Sequence, residues 1–179
     1  MKKVPAWVIL CVIALVAGTA LGITNALTAE PIREQARIAA ENARAQVLPA
    51  AASFEEVTVA DGAAVDNCYR GVDASGNAVG YVAQVTVQGF GGPIEVTVGV
   101  DAEGKLAGIQ CGGSGFSETA GLGAKVKTAA FSDQFAGLAT PVALTKDGGE
   151  VDSVTAASIS SGAGCNAVNI AAEYIAGLA

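Results

Sequence analysis

The sequence predicts an α+β fold, in which an N-terminal transmembrane helix precedes an antiparallel sheet with packed helices. Three observations carry this expectation. An uncharged apolar run opens the chain, two Asp-x-x-Gly turns join short apolar runs in its middle, and an apolar stripe at helical spacing closes it. The chain has 179 residues and a formal net charge of −7, a length that suits one domain plus an appendage. Charged residues are 15% against 51% apolar, which argues against general disorder. The acidic balance argues against nucleic acid as a partner, because counterion release from phosphates needs a basic face. Histidine is absent. That removes Ser-His-Asp and Cys-His catalysis, His-ligated metal and axial-His haem. Chemistry falls to carboxylates, hydroxyls, lysines, thiols or a borrowed cofactor.

The first element follows from charge spacing. Val4 to Ala29 carry no charged side chain, and Pro5 to Ile23 are strongly apolar. At roughly 1.5 Å per residue this run crosses most of a hydrocarbon core of about 30 Å. Lys2 and Lys3 flank one end and Trp7 suits the interface there. The positive-inside rule then leaves the N-terminus cytoplasmic and the remainder outside, as for a single-pass protein of the cell's inner (cytoplasmic) membrane. A cleaved signal peptide is the alternative, with small residues around Gly18 to Ala20 and at Ala29. The length of the run favours an uncleaved anchor in the lipid bilayer. Lys2 and Lys3 are two of ten basic residues; against seventeen acids, the rest of the chain carries −9. Such a domain has no attraction to anionic lipid.

Residues 1–29 are therefore expected to form the cytoplasmic N-terminus and transmembrane anchor, 30–50 a helical stalk, and 51–179 the extracytoplasmic domain. In the stalk, Pro31 is placed at a helix start, where its missing N–H costs nothing, and Pro49 ends the helix. Beyond it, Tyr69–Val72 and Val79–Val87 flank one Asp-x-x-Gly turn, and Ile94–Val100 and Leu106–Cys111 flank another; each pair reads as a hairpin. Residues 112–123 are glycine-rich. Ala124 to Leu138 reads as one or two short helices with Phe131 and Phe135 spaced for burial, Val151 to Ser158 as extended or looped, and Asn166 to Leu178 as a helix burying Val168, Ala171, Ala172 and Ile175. Outside the apolar run lie Cys68, Cys111 and Cys165, an odd number with no C-x-x-C spacing. That pattern argues against zinc or iron–sulfur ligation and leaves one disulfide open.

Two stretches offer chemistry. Gly89-Phe90-Gly91-Gly92-Pro93-Ile94 and, after the hairpin, Ser117-Glu118-Thr119-Ala120-Gly121-Leu122-Gly123 make a glycine-lined approach beside a carboxylate and a hydroxyl. Such backbone can cradle a planar or anionic ligand; on composition alone it also reads as a turn-rich connection. Asp152 to Ser160 clusters hydroxyls near an acid ahead of a helix, which also reads as a capped helix start.

In this order behind an anchor, the stretches resemble the G subunit of the Rnf electron-transport complex and, more distantly, the C subunit of the sodium-pumping NADH:quinone reductase. The resemblance covers nearly the whole chain and is most specific at G-F-G-G-P-I-E-V, V-G-V-D-A-E-G-K, S-E-T-A-G-L-G and the hydroxyl cluster. It implies a flavinylation motif in which Asp152 is the acid, Thr155 the first hydroxyl, Ser158 the covalent FMN phosphoester acceptor and Ser160 the last hydroxyl. Ser160 and Ser161 stand as fallback acceptors. Ala156 occupies the motif's usual Gly, which matters if that position needs positive φ. The resemblance further implies flavin contacts from Ser117, Glu118, Thr119 and Leu122, with Phe116 and Ala120 replacing the family's His and Pro. It also implies the other subunits of an Rnf-type complex as partners, and a separate flavin transferase for maturation. The function so implied is electron transfer in a ferredoxin:NAD oxidoreductase coupled to Na+ or H+ translocation, with no catalysis by this chain alone. Tethering converts cofactor loss into local motion at high effective concentration. Two alternatives stay open: a flavoprotein like the C subunit of a sodium-pumping quinone reductase, and an anchored binding domain that has lost its flavin.

Overall fold

A computed structural model describes residues 5–178. Lys2 and Lys3, on which the orientation expectation rests, lie outside the described residues. The chain divides into two compact units, one reaching to Ala39 and one running from Ala40 onward.

The first helix, α1 (Ala6–Val47), is long and apolar enough to cross a membrane, and none of its apolar window is buried. Three hydroxyls along it are satisfied by the helix's own backbone. Thr19, Thr24 and Thr28 donate to the carbonyls of Leu15, Ala20 and Thr24 at 2.7, 2.9 and 2.9 Å, an arrangement compatible with an apolar surrounding. The sequence expectation of a helix from Glu30 to Leu48, with Pro31 near its start, is corrected in its start: this stretch continues α1, and Pro31 lies inside that helix. Proline removes one backbone donor there, but strong helix formers on both sides carry the helix through. Past that point Glu34 receives Arg37 at 2.8 Å. This hydrogen bond and the guanidinium charge hold the Glu34 carboxyl below its ordinary range.

The second unit is built on a five-stranded antiparallel meander: β1 (Ser53–Val57), β2 (Asn67–Val72), β3 (Ala78–Gln88), β4 (Pro93–Asp101) and β5 (Leu106–Gly112) in that order. Both predicted hairpins are present. Asp73 and Asp101 make Asx-type turns, accepting N–H groups of residues two and four positions on at 2.8–2.9 Å. The bonds from Asn77 come first among the causes that lower the Asp73 carboxyl pKa.

Strand alternation separates two faces. Ala83, Val85, Ile94, Val96, Val98 and Cys111 join the main core, which is closed by α2 (Ala129–Ser132) and by α3 (Ser158–Ala176) with its buried Ala163, Ala167, Val168, Ala171 and Ile175. Phe131 and Phe135 are buried edge to face at 5.3 Å between ring centres. The three cysteines of this unit are buried and free. Burial pushes the Cys68 thiol up to about 11. Burial, with neighbouring Cys165, pushes Cys111 up to about 12. Burial, then Asp147, pushes Cys165 up to about 11.

The other face receives the end of α1. Val47 and Leu48 are buried with Val82 in a small second cluster, and the Arg44 guanidinium sits 4.2 Å over the Tyr69 ring. What lets the backbone of Val47 approach the sheet is Gly99, paired with Gly108 across β4 and β5. A Cβ at Gly99 would strike the Val47 carbonyl, and one at Gly108 would lie 3.3 Å from the Val47 Cα.

Gly99→Ala therefore has no rotamer to relieve it, since the atom it meets is backbone. We expect a loss of about 1–3 kcal/mol, read as a lower urea midpoint of the full chain in detergent. An unchanged midpoint would mean that Val47 is not seated on the sheet.

Candidate functional site

Three chain segments converge on one cavity of about 420 Å3. The first is the turn between β3 and β4, closed by the Gly89 N–H donating to the Gly92 carbonyl at 2.9 Å. It presents Phe90, which is 71% exposed. The second is the loop after β5, which leads into a short 3-10 turn at Gly123–Lys127 and supplies Glu118, Thr119, Leu122 and Gly123. The third is Ala156 to Ser160, at the start of α3. Both stretches singled out in the sequence thus contribute to one pocket.

Helix α3 begins earlier than the periodicity predicts. The expected Asn166 start is corrected to Ser158, so the last hydroxyls of the cluster lie in the first turn and not ahead of it. Gly162 and Gly164 obscure this, because glycine weakens a helix. Packing overrides propensity: Gly164 is buried where an added Cβ would stand 3.2 Å from the Phe131 ring. The three serines then have different fates. Ser161 is buried; its Oγ accepts the Val154 N–H at 3.0 Å and donates to the Ala157 carbonyl at 3.0 Å. Ser160 is 1% exposed, and its Oγ has no hydrogen-bond partner. Ser158 is exposed on the pocket wall.

The turn before α3 is strained. Ala156 has φ +61°, alone among the described non-glycine residues in lying at positive φ. An L residue there costs about 1–2 kcal/mol. Gln134 holds the approach to this turn from outside. Its Oε1 accepts the Asp152 N–H at 2.7 Å, and its Nε2 donates to the Asp152 carbonyl at 3.4 Å.

Of the residues named from sequence, Ser158, Ser160, Glu118, Thr119 and Leu122 line the cavity. Asp152, Thr155 and Ser117 are near neighbours in sequence of these residues but do not line it; Asp152 is exposed. Phe116 lies elsewhere, half-buried against the core with Lys127 Nζ 4.8 Å over its ring. Phe90, Gly123, Ala157 and Ile159 also line it; they lie within the stretches singled out from sequence but were not named there as contacts. Phe90 carried a signal: a large aromatic between glycines in a hairpin turn has no core face to occupy. Gly123 lacks a side chain because a Cβ there would strike Glu118 Oε2 and come within 2.9 Å of Ser160 Oγ.

The chemistry of the pocket is apolar walls around a few aimed polar groups. Phe90, Leu122 and Ile159 remain 71%, 43% and 59% exposed. Glu118 is the one ionisable lining residue. Glu118 Oε2 and Ser160 Oγ both border the Gly123 position, while α3 has no acidic residue in its own first turn and no side-chain cap on its N-terminus. Its first N–H groups and dipole are therefore open to an anion, with the unpartnered Ser160 hydroxyl in the same turn. A flat apolar group joined to a phosphate fits this layout; a bare metal does not, since no cluster of potential ligands exists among the described residues.

Residues 89–173 match the model of the FMN-binding domain family, a span that begins in the Phe90 turn and ends within α3. The chain is 38% identical to the G subunit of the ion-translocating oxidoreductase complex of Methanosarcina acetivorans, covering 94% of this chain and 92% of that one. It is 34% identical to the G subunit of the Na(+)-translocating ferredoxin:NAD(+) oxidoreductase complex of Acetobacterium woodii, covering 92% and 87%. Among solved structures, the C subunit of the Na(+)-translocating NADH-quinone reductase of Parabacteroides distasonis is 21% identical, with a TM-score of 0.49 over 60% of each chain.

Replacing Ala156 by Gly should relieve the left-handed strain. The unfolded chain gains freedom with glycine, which offsets roughly half of the benefit. We expect a net stabilisation of about 0.5–1 kcal/mol, read as a higher thermal midpoint. A lower midpoint would place Ala156 outside the left-handed region.

Proposed function

From the premise that the chain belongs to the family of G subunits of ion-translocating oxidoreductase complexes, we propose that it is a membrane-anchored electron carrier holding FMN through a phosphoester on Ser158. The observation that carries this reading is the convergence of the apolar walls, the uncapped start of α3 and the exposed Ser158 on one cavity. FMN bound there would supply the electron transfer that no side chain of this chain offers.

The chain's own residues divide the work of holding it. The Ser158 oxygen would carry the phosphate, and the first N–H groups of α3 would neutralise part of its charge. Ser160, buried without a partner, would gain one in that phosphate and so be relieved of its desolvation cost. Phe90, Leu122 and Ile159 would lose water against the ring system. Asp152 and Thr155, both outside the cavity lining, are available to the transferase that delivers the flavin. Ser161 is held in two backbone hydrogen bonds, which supports Ser158 over it as acceptor. No general acid or base is needed for this role, in keeping with a sequence without histidine.

The complex that this protein serves moves electrons between ferredoxin and NAD and couples that flow to Na+ or H+ translocation. Residues 6–29 of α1 anchor the chain, with the N-terminus cytoplasmic and the globular unit on the opposite side, as the positive-inside rule directs. Protease added to sealed right-side-out vesicles should digest the globular unit; its protection until the vesicles are opened would reverse the orientation.

Coexpression with a flavin transferase should give a band that fluoresces in a denaturing gel, and a mass increment of one FMN on the peptide containing Ser158. Ser158→Ala should abolish both. A full covalent load in that variant would reject the site, and a dark wild-type band despite a competent transferase would favour the flavin-free binding domain.

A further inference from the structure

Glu118 does something in this structure that its neighbours do not. Its Oε1 accepts two backbone N–H groups from a turn 28 and 27 residues away in sequence, Phe90 at 2.8 Å and Gly91 at 3.2 Å. Its other oxygen lies against Gly123, where any Cβ would displace it. The carboxylate is thus held between the β3–β4 turn and the 3-10 turn, at the boundary of the cavity. Hydrogen bonds to an ionised acceptor are roughly twice as strong as neutral ones. Phe90, the residue so held, is left 71% exposed and lines the cavity. An exposed aromatic ring on a cavity wall offers apolar area that a planar ligand can cover.

We propose that Glu118 is a positioning residue, a latch that holds the Phe90 turn so that the phenyl ring shields the isoalloxazine of bound FMN from solvent. This rests on the reading of the pocket as the flavin site. In this role the carboxylate acts through Phe90 and not by its own contact with the flavin, so the shielding contributed by Glu118 and Phe90 is one effect and not two.

Two measurements test it. The first needs no flavin. In the full chain carrying Ser158→Ala, Glu118→Ala should accelerate amide hydrogen exchange at Phe90 and Gly91 by roughly tenfold or more, as expected for losing bonds to a charged acceptor. Glu118→Asp, one methylene short, should do the same if the alanine variant does not fold. Glu118→Gln keeps a carbonyl acceptor and should largely restore protection. Unchanged exchange in both the Ala and Asp variants would overturn the latch. The second uses the flavin-loaded chain and iodide quenching of flavin fluorescence. Phe90→Ala and Glu118→Ala should each raise the quenching constant a few-fold, and the double variant should match Phe90→Ala alone. Additive increases would show that Glu118 touches the flavin itself and overturn the proposal. A wild-type chain without covalent flavin would sink the proposed function, yet leave the exchange measurement to decide the latch.

Discussion

The burial of one face of α3 against β3 and β4 is the constraint on which the rest depends. That face is made of Ala163, Gly164, Ala167, Val168, Ala171 and Ile175, mostly small side chains. Small residues let helix and sheet approach closely, and the approach fixes the helix along its axis. Its first turn therefore falls at one end of the sheet, beside the Phe90 turn and the Glu118 loop. Ser158 lines the cavity as an exposed residue, while Ser160 and Ser161 of the same turn are already buried. The site is a by-product of core packing, which places its polar groups with Glu118 as the one ionisable lining residue.

The two faces of the sheet are used differently. One holds the main core, and the other is bare enough at Gly99 and Gly108 to seat the backbone of Val47. Within the globular unit this ties the last turns of α1 to the same sheet that carries the Phe90 turn. Strain is concentrated two residues ahead of Ser158. Ala156 is held at positive φ between the Gln134 clamp on Asp152 and the Ser161 bonds to Val154 and Ala157. A turn braced on both sides can hold a conformation that alanine alone disfavours.

Much of this was legible from residues alone. The Asp73 and Asp101 turns announce their hairpins because an Asp side chain closes its own turn locally. The apolar run before Glu30 announces its helix because lipid admits few alternatives. The hydroxyl cluster and the S-E-T-A-G-L-G loop were named as one site through resemblance, and they meet at one cavity. Other features were hidden by competing rules. Pro31 reads as a boundary but is carried inside α1, since good helix formers flank it. The apolar stripe marks α3 only from Asn166 on, whereas the helix starts at Ser158 and takes in Gly164, whose close contact with Phe131 outweighs glycine's weak helix propensity. Phe90 reads as part of a glycine turn, with nothing in the turn itself to say what its ring faces.

The sequence by itself determined the order of elements, the membrane-length helix, the absence of histidine chemistry and the residue types from which a site could be made, because these follow from local periodicity, turn chemistry and composition. Only the tertiary structure decided which serine is exposed, which is buried without a partner and which is consumed by backbone, and that Glu118 reaches the Phe90 turn. Those outcomes depend on contacts between segments far apart in the chain, and no local pattern encodes the distance between them.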